Sequence, residues 1–377
     1  MRTLKNILVT GGSGFIGSNF IHFLLNGADG FEGRIINVDA LTYAGNPLSL
    51  ADIEEQFGAA AGTAQRYCFE HGDICDRPFI EGIFKKYDID TVVHFAAESH
   101  VDRSIHGPEA FVKTNVMGTF TLLDTARNFW KSEKDVLFHH ISTDEVYGSL
   151  GDTGRFTEET PYDPRSPYSA SKAASDHLVM AYGHTYGLPL TLSNCSNNYG
   201  PRQFPEKLIP LSILNILEGK ELPVYGDGKN IRDWVYVEDH NRAVWAVMRQ
   251  GKAGEKYNIG GENEWENIRL LHTLIDIVSK KAGLDAEKVR ASIAFVKDRP
   301  GHDRRYAIDC FKIKKELAWK QEVNFEEGLS RTVDWYLANS GWVNGICSGE
   351  YRRWMEQNYG GGNHAGCGSK ACGYFRS

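Results

Sequence analysis

The sequence lacks several features that would set it apart from ordinary globular proteins. No apolar run approaches the roughly 20 residues needed to cross a bilayer. Acidic residues outnumber basic ones by 49 to 42, which leaves a formal net charge of −7. A chain of this charge has no general attraction to nucleic-acid phosphates. We therefore expect no membrane span and no nucleic-acid partner, and an anionic ligand would need a local basic pocket.

Cysteine is scarce, and its arrangement excludes a disulfide framework. The seven cysteines are scattered and odd in number, which is typical of a protein kept in a reducing cytoplasm. The first six residues lead directly into an apolar run at residues 7–10, which leaves no room for a signal peptide. We expect a cytoplasmic protein.

Metal-binding patterns are also missing. His139 and His140 are adjacent in a predicted strand, where successive side chains face opposite ways and cannot chelate one ion. Cys367 and Cys372 have His364 nearby, but their spacing fits no usual zinc pattern. The sequence therefore predicts no metal site.

Short apolar runs recur along the first 200 residues, with helix-length intervals between them. The runs are residues 7–10, 34–39, 91–97, 136–143 and 188–195. Strands that alternate with segments of helical period are typical of βαβ units around a parallel sheet covered on both faces. The sequence therefore predicts an α/β fold with a doubly wound, parallel Rossmann-type sheet.

The composition changes after about Gly200. Four prolines between residues 201 and 223 and a turn-rich segment at 225–229 interrupt the alternation of strand and helix. We predict a Rossmann domain over residues 1–200, with a return segment near 234–260. A smaller, partly interleaved C-terminal substrate-binding lobe is predicted over 201–358. A flexible glycine-rich tail is predicted over 359–377.

A glycine-rich loop follows the first predicted strand. Gly11, Gly14 and Gly17 form a G-x-x-G-x-x-G pattern, and Phe15 and Ile16 begin a segment with helical apolar spacing. Without side chains the backbone can turn tightly and place a pyrophosphate on the N–H groups that start the helix. The loop predicts a dinucleotide site, although a glycine-rich turn that binds nothing would look the same in isolation.

Acidic residues after the next two strand-like runs add to this pattern. Asp39 follows Gly17 at about the spacing of the acid that binds the adenosine ribose in dinucleotide sites. An acid there favours NAD over NADP, because it repels a 2′-phosphate. Asp73 and Ile74 would flank the adenine, or would simply end a strand, and Asp39 has the alternative of a helix cap. The sequence predicts NAD as the cofactor.

Tyr168 and Lys172 lie four residues apart, which on a helix is one face. A phenol is a poor base at neutral pH, but a nearby ammonium group favours the phenolate and lowers the phenol pKa. The pair suits the removal of a proton from a sugar hydroxyl while hydride leaves the same carbon. Ser142 and Thr143, at the end of the preceding predicted strand, strengthen this interpretation over that of an exposed tyrosine and a solvated lysine.

These residues resemble a known family. The glycine loop together with the Tyr-x-x-x-Lys pair resembles the extended short-chain dehydrogenase/reductases. Ser142-Thr-Asp-Glu-Val-Tyr-Gly148 narrows the resemblance to the nucleotide-sugar 4,6-dehydratases. Residues 96–104, 193–200, 204–210, 231–239 and 299–306 are similar to the branch that acts on dTDP-glucose, and the likeness covers roughly residues 5–355.

The resemblance implies a role for the adjacent carboxylates. Oxidation of hexose C4 to a ketone acidifies the C5 proton, and elimination of water across C5–C6 then needs a base at C5 and an acid at the C6 oxygen. By resemblance, Glu145 is the base and Asp144 is the acid. Tyr168, aided by Lys172 and Thr143, takes the O4 proton as NAD accepts the C4 hydride, which later returns to C6. No external reductant is consumed.

The resemblance also implies how the nucleotide-diphosphate hexose is held, and that the chain forms a homodimer, commonly through a pair of helices. Arginine offers a bidentate fork to diphosphate oxygens. The implied substrate-binding residues are Arg232, Lys207, Arg299 and His302 around the diphosphate, Asn197 near the diphosphate or sugar, and Ser99 and His100 along the sugar site. Arg202 and Gln203 depart from the aromatic or histidine residues frequent in the family, and an extra cation at the mouth of the site would bear on base specificity.

Other functions share part of this pattern. A UDP-glucose 4,6-dehydratase would use the same residues on a different nucleotide. UDP-sugar 4-epimerases and UDP-glucuronate decarboxylases share the glycine loop and the Tyr168–Lys172 pair, but they do not need the acid–base pair Asp144 and Glu145. A dinucleotide-binding regulator without turnover would not need the catalytic residues at all. The carboxylate pair favours dehydration.

Overall fold

The elements of the chain are taken from a computed structural model that describes residues 2–28, 30–62, 64–131, 133, 135–298 and 303–346. The described strands are β1 (Asn6–Thr10), β2 (Arg34–Asp39), β3 (Tyr67–His71), β4 (Thr91–His94), β5 (Leu137–Thr143), β6 (Leu190–Cys195), β7 (Asn197–Tyr199), β8 (Leu222–Tyr225), β9 (Ile231–Tyr236), β10 (Lys256–Ile259), β11 (Glu264–Glu266) and β12 (Ile293–Val296). The predicted tail over 359–377, with Cys367 and Cys372, lies outside the described residues.

Helices connect these strands. They are α1 (Phe15–Gly27), α2 (Ala51–Phe57), α3 (Arg77–Tyr87), α4 (Val101–His106), α5 (Pro108–Phe111), α6 (Thr119–Trp130), α7 (Pro167–Tyr186), α8 (Leu208–Glu218), α9 (Val237–Gln250), α10 (Asn267–Ala282), α11 (Ala286–Arg290), α12 (Phe311–Leu317), α13 (Phe325–Ala338) and α14 (Ser340–Ile346). Short 3-10 turns cover Pro47–Leu50 and Asp144–Tyr147, and a π-helical segment, Val112–Gly118, joins α5 to α6. No helix in the described part of the chain is both long and apolar enough to cross a membrane.

The main sheet has seven strands in the order β10-β6-β5-β4-β1-β2-β3, and every neighbouring pair is parallel. The chain starts in the middle of the sheet, winds outward through β2 and β3, and then returns to β4 on the other side of β1. This order creates a switch point between β1 and β4, and ligands bind at such points beyond the carboxyl ends of the strands. The prediction of a doubly wound parallel sheet is confirmed.

Both faces of the central strands are buried, which explains the apolar runs of β1 and β2, whereas β5 and β6 also bury polar side chains. Ile7 and Val9 of β1 belong to a core shared with α1, whereas Leu8 belongs to a second core with α3 and α6. The three side chains are fully buried. At about 25 cal/mol per Å² of apolar area removed from water, these two cores are the main favourable contribution to folding.

The chain after β6 builds a second lobe with its own core. A three-stranded sheet, β11-β9-β7, and a two-stranded sheet, β12-β8, pack with α8, α10 and α13 around buried residues such as Tyr199, Trp234 and Phe325. Helices α8 and α10 contact each other, as do α10 and α13. The lobe stands over the carboxyl ends of the main strands and closes one side of the cleft described below.

Two segments of the later chain return to the main sheet. Helix α9 packs against α1, and β10 pairs with β6 as the last strand of the sheet. Helix α12 then packs on α9 and β10, and Ile313 and Trp319 belong to the same core as Ile7. The second return, at about residues 306–319, adds no strand to the main sheet. It was not predicted from the sequence.

Candidate active site

A cleft of about 540 Å³ lies between the main sheet and the second lobe. All predicted site residues that the structure describes line it. These are Gly11, Gly14, Phe15, Ile16, Gly17, Asp39, Asp73, Ile74, Ser99, His100, Thr143, Asp144, Glu145, Tyr168, Lys172, Asn197, Lys207 and Arg232. Arg299 and His302 lie outside the described residues. The topology collects these distant positions because parallel strands end at the same edge.

The glycine loop turns between β1 and α1. Gly11 has φ +71°, and a Cβ there would come within 2.7 Å of the Ala96 backbone. Its carbonyl oxygen accepts a hydrogen bond from Gly14 N–H at 3.2 Å. A Cβ on Gly17 would press against the same carbonyl oxygen and the Gly12 backbone. The loop is therefore a cradle that only glycine can line, at the N-terminus of a 13-residue helix.

We predict that Gly17→Ala destabilises the protein, because the added methyl group meets backbone atoms that cannot rotate away. Overpacking of this kind costs on the order of 1–3 kcal/mol. Gly82→Ala is the matched control, since Gly82 is exposed in α3 and a Cβ there has no neighbour within 4 Å. Alanine is the better helix former, so the control should keep or raise the melting temperature. Equal melting temperatures for the two variants would contradict the crowding argument.

Asp39 ends β2 beside this loop. Its carboxylate accepts hydrogen bonds from Ser13 N–H at 2.9 Å and Leu41 N–H at 2.8 Å. Burial raises the pKa of Asp39, and these two hydrogen bonds oppose the rise. The side chain thus connects the glycine loop to the segment after β2, and it also lines the cleft. Asp73 is similar, since its Oδ1 accepts from Cys75 N–H at 2.9 Å.

The two adjacent carboxylates follow β5 in the 3-10 turn Asp144–Tyr147. Thr143 ends the strand, and its hydroxyl accepts from Glu145 N–H at 3.3 Å, which caps the turn. The same hydroxyl donates to Asp144 Oδ1 at 3.3 Å. The tight turn brings both carboxyl groups to the cleft within one residue of each other, although strand residues in that order would diverge.

The environment of Asp144 favours its protonated form. The residue is fully buried, and burial raises its pKa well above the usual range; the carboxylates of Glu145 and Asp233 raise it further. Arg232 and the Thr143 hydroxyl act in the opposite direction without reversing the shift. Glu145 is only half-buried. A neutral acid beside a second, more accessible carboxyl group is the arrangement that general acid–base chemistry requires.

Tyr168 and Lys172 lie on the first turns of α7. Ser166 caps this helix, its hydroxyl accepting from Ser169 N–H at 3.0 Å, and Pro167 occupies the first helical position. The cap fixes where α7 begins, so Tyr168 and Lys172 face the end of β5 on one side of the helix. Both side chains are buried. Lys172 Nζ donates to the Ile141 carbonyl oxygen at 2.8 Å.

The predicted lowering of the phenol pKa by Lys172 is opposed in this structure by burial. Burial raises the pKa of Tyr168 well above its usual range, and the Glu145 carboxylate raises it further, whereas the Thr143 hydroxyl lowers it. Burial also lowers the pKa of Lys172. The reason is that packing of α7 against the sheet removes both groups from water, a cost that sequence spacing does not reveal.

Arg232 lies where the cleft meets the second lobe. Its guanidinium donates to the carbonyl oxygens of Ile231 at 2.8 Å and Asp303 at 2.9 Å, and it stacks 4.4 Å from the centre of the Tyr306 ring. Burial lowers its pKa, and the charges of Tyr306, Glu145 and Asp144 oppose this. The backbone bonds fix the position of the charge, so Arg232 is a prearranged cation for an anionic ligand.

The predicted sugar-site residues Ser99 and His100 lie beside Lys207, which was predicted to bind the diphosphate, and beside its neighbour Glu206. Lys207 Nζ donates to the Ser99 carbonyl oxygen at 3.1 Å. His100 caps α4 and places Nε2 3.8 Å from Glu206 Oε2. Glu206 was missed in the sequence, although it stands inside the segment 204–210; burial raises its pKa to about 7. Tyr43 donates to Glu206 Oε1 at 3.2 Å and was not recognisable from any pattern.

Further lining residues come from the second lobe. Pro223, Val224, Tyr225 and Asn267 line the far end of the cleft, and Tyr306 lines it beside Arg232. The segment around Tyr225 was interpreted only as a turn, and Tyr306 ends the family-like segment 299–306. These residues carry no charge that would have singled them out, and β8 and α10 meet only in the folded lobe.

Arg202 does not supply an extra cation at the cleft. Among the described residues that line the cleft, its neighbour Gln203 appears but Arg202 does not. Its guanidinium lies 5.6 Å from the centre of the Trp335 ring, and its backbone adopts φ +66°. This left-handed conformation turns the side chain toward α13, so the doubt about base specificity that rested on Arg202 loses its physical basis.

His139 and His140 face opposite sides of the sheet. His139 Nδ1 is 2.8 Å from the Thr191 hydroxyl, whereas His140 Nε2 is 3.3 Å from Asp176 Oδ1. No group of three or more potential metal ligands occurs within the described ranges.

The comparisons with known proteins agree with this geometry. Residues 8–332 match the family model described as GDP-mannose 4,6 dehydratase. The chain is 54% identical to the dTDP-glucose 4,6-dehydratase of Shigella flexneri, over 94% of this chain and 99% of the relative. The chain belongs to the GDP-mannose 4,6 dehydratase family. Another relative, dTDP-glucose 4,6-dehydratase 1 of Escherichia coli strain K12, is 53% identical over the same shares of the two chains.

Solved structures of similar proteins share the fold. A dTDP-glucose 4,6-dehydratase from Streptomyces venezuelae, with NAD bound, has a TM-score of 0.81 and 46% identity, and the match covers 90% of this chain and 99% of that one. A UDP-glucose 4-epimerase from Thermotoga maritima has a TM-score of 0.76 but only 29% identity, over 88% and 99% of the two chains. Fold likeness therefore extends beyond the dehydratases of this family, whereas sequence likeness is higher for the dehydratases.

Proposed function

We propose that the protein is an NAD-dependent lyase that converts dTDP-glucose to dTDP-4-keto-6-deoxyglucose. The observation that carries the proposal is the buried Asp144 beside Glu145 in the cleft that also holds Tyr168 and Lys172. Relatives more than 50% identical over nearly their whole length carry the same activity in their names.

The nucleotide end of the cleft fits NAD. The glycine cradle leaves room for a pyrophosphate against the start of α1, and Asp39 is an acid at the position of a ribose-binding carboxylate. When bound there, NAD supplies the hydride acceptor for C4 and the hydride donor for C6. Gly11, Gly14, Phe15, Ile16 and Gly17 would hold the pyrophosphate, with Asp39, Asp73 and Ile74 along the adenosine.

Three residues of this chain then move protons. Tyr168, as the phenolate that the ammonium group of Lys172 favours, takes the O4 proton as C4 is oxidised to the ketone, and the Thr143 hydroxyl orients the phenol ring. Glu145 takes the C5 proton, which the new ketone has acidified. Asp144 gives its proton to the C6 oxygen, which leaves as water, and C5 regains a proton when C6 is reduced. The high pKa of Asp144 supports its role as the acid, because a carboxyl group must be protonated to act in that step.

A UDP-glucose 4,6-dehydratase is the second candidate. The chemistry at the hexose would be identical, and the far end of the cleft, where Tyr225 and Asn267 lie, would decide the base. An epimerase or a decarboxylase shares Tyr168 and Lys172, but it gives no role to a buried, protonated Asp144.

The test is incubation of the purified protein with dTDP-glucose and, separately, with UDP-glucose, followed by mass spectrometry. Loss of one water from dTDP-glucose is the expected result. Loss from UDP-glucose alone would keep the mechanism and change the substrate. No loss from either, even with added NAD, would contradict the proposal and favour an epimerase, a decarboxylase or a regulator.

We also infer a cytoplasmic homodimer. Exposed apolar side chains, Ile105, Val112 and Met117, cluster along α4 and the π-helical segment beside α7, where a second helix pair could cover them. The described cysteines Cys68, Cys75, Cys195 and Cys310 are free thiols, which suits a reducing compartment. Light scattering should give twice the mass of one chain, and a monomer at micromolar concentration would contradict the dimer.

A further inference from the structure

A buried polar chain runs behind Tyr168, away from the carboxylate pair. Lys172 Nζ is 3.5 Å from His140 Nε2, in addition to its hydrogen bond to the Ile141 carbonyl oxygen. The same His140 nitrogen is 3.3 Å from Asp176 Oδ1. Lys172 and Asp176 are one helical turn apart on α7, so the imidazole of β5 lies between an ammonium and a carboxylate.

Asp176 is fully buried, and three donors bind one oxygen of its carboxyl group. Its Oδ2 accepts from Ser142 Oγ at 2.7 Å, Tyr162 OH at 2.9 Å and Asn194 Nδ2 at 3.4 Å. Burial raises the pKa of Asp176, and Lys172 and these hydrogen bonds oppose the rise without reversing it. Hydrogen bonds to a carboxylate favour its charged form, so the three donors and the ammonium of Lys172 counter the effect of burial.

Lys172 needs such a carboxylate, because an ammonium group removed from water tends to lose its proton. Among the charges near it, Asp176 is the largest influence that favours its protonated form. His140 cannot provide or remove charge here: burial and Lys172 lower its pKa well below the usual range, so the ring stays neutral. Its Nδ1 has no partner in the described structure, whereas Nε2 faces both charged groups.

We propose that Asp176, whose Oδ1 lies beside the same His140 nitrogen as Lys172 Nζ, is a positioning residue that holds Lys172 as an ammonium beside Tyr168. The proposal rests on the proposed function, because it assumes that Lys172 assists Tyr168 in the oxidation at C4. It also gives a role to Ser142, the residue before the last in β5, whose hydroxyl donates to Asp176. Asp176 itself follows Lys172 by one turn of α7, and the proposal gives this acid a role.

Other titratable groups face this pair from the surrounding elements. They are His94 from β4, Cys195 from β6, Lys256 from β10, Tyr147 from the 3-10 turn and Tyr162 from the segment before α7. Burial lowers the pKa of His94 well below its usual range and raises that of Cys195 to about 12, so both are neutral at physiological pH. Lys256 is a second cation, and it cannot replace the negative charge of Asp176.

The first test is the pH profile of dTDP-glucose dehydration by Asp176→Asn. Without the carboxylate, the pKa of Lys172 falls further, so the descending limb of kcat should move to lower pH by about one unit and kcat at pH 8 should fall about tenfold. Asp176→Glu keeps the charge and should restore the limb. Asp124→Asn is the matched control, because Asp124 bonds to Arg77 and Tyr182, away from Lys172. A profile for Asp176→Asn that is lowered but not shifted would mean a merely structural role and would overturn the proposal.

The second test does not depend on activity. We expect Asp176→Asn to lower the melting temperature at pH 7 by about 3 °C or more. In a Lys172→Met background the same substitution should lower it much less, because the buried ammonium that Asp176 compensates is then missing. Equal losses in both backgrounds would refute the charge coupling. If the wild-type protein fails to dehydrate dTDP-glucose, the proposed function fails, while this cycle still decides whether Asp176 and Lys172 are coupled.

Discussion

Replacing Glu145 by glutamine is expected to abolish the dehydrated product while leaving oxidation at C4 intact. The amide cannot take the C5 proton, so the sugar stops at the 4-keto stage and reduced cofactor accumulates on the enzyme. The loss in product formation should be on the order of 10²–10⁴. Absorbance of the reduced nicotinamide, followed after mixing with dTDP-glucose, measures the accumulation, and mass spectrometry measures the missing product.

Glu158→Gln is the control for this experiment. Glu158 is also buried, but its carboxylate accepts from Asn258 N–H at 2.9 Å and does not line the cleft. A glutamine amide oxygen can accept the same bond, so product should form as in the wild type. Normal turnover by Glu145→Gln would show that another group removes the C5 proton.

Tyr168→Phe is expected to stop the reaction earlier. Without the phenol, nothing at this position takes the O4 proton, so C4 is not oxidised and no reduced cofactor appears. The rate of that first step should fall by a factor on the order of 10²–10⁴. The two variants therefore differ in one readout, since reduced cofactor accumulates in Glu145→Gln and is missing in Tyr168→Phe.

Tyr182→Phe controls for the loss of a tyrosine hydroxyl from the same helix. Tyr182 lies near the far end of α7, where its hydroxyl is 3.4 Å from Asp124 Oδ1. We expect wild-type rates for this variant. Full activity in Tyr168→Phe would remove the basis for a dehydrogenase step and with it the proposed mechanism.

Much of the fold was predictable because its signals are local. The runs that became β1, β2, β5 and β6 are buried along most of their length, as is typical of central parallel strands, and the glycines at 11, 14 and 17 mark the turn into α1. Strand β3 and helix α12 were harder. The first is a short edge strand, and the second joins the main core only after the chain has built most of the second lobe.

Many of the residues that line the cleft were predictable for a related reason. Chemically distinctive residues that follow successive parallel strands must meet at one edge of the sheet, so Asp39, Thr143 and Asn197 are brought together by topology alone. Tyr43, Glu206 and Tyr306 were not found. Glu206 and Tyr306 line the cleft, and Tyr43 donates a hydrogen bond to Glu206 from a distant segment of the chain, so no spacing rule relates the three.

The sequence by itself predicted the doubly wound parallel sheet, the glycine loop for the cofactor and the residues proposed as acid, base and phenol. Only the tertiary structure decided how these groups are charged. Burial and the carboxylates of Glu145 and Asp233 raise the pKa of Asp144, burial removes Tyr168 from water, and Asp176 favours the ammonium form of Lys172. A pKa depends on desolvation and on charges within a few ångströms, and both are properties of packing between distant segments.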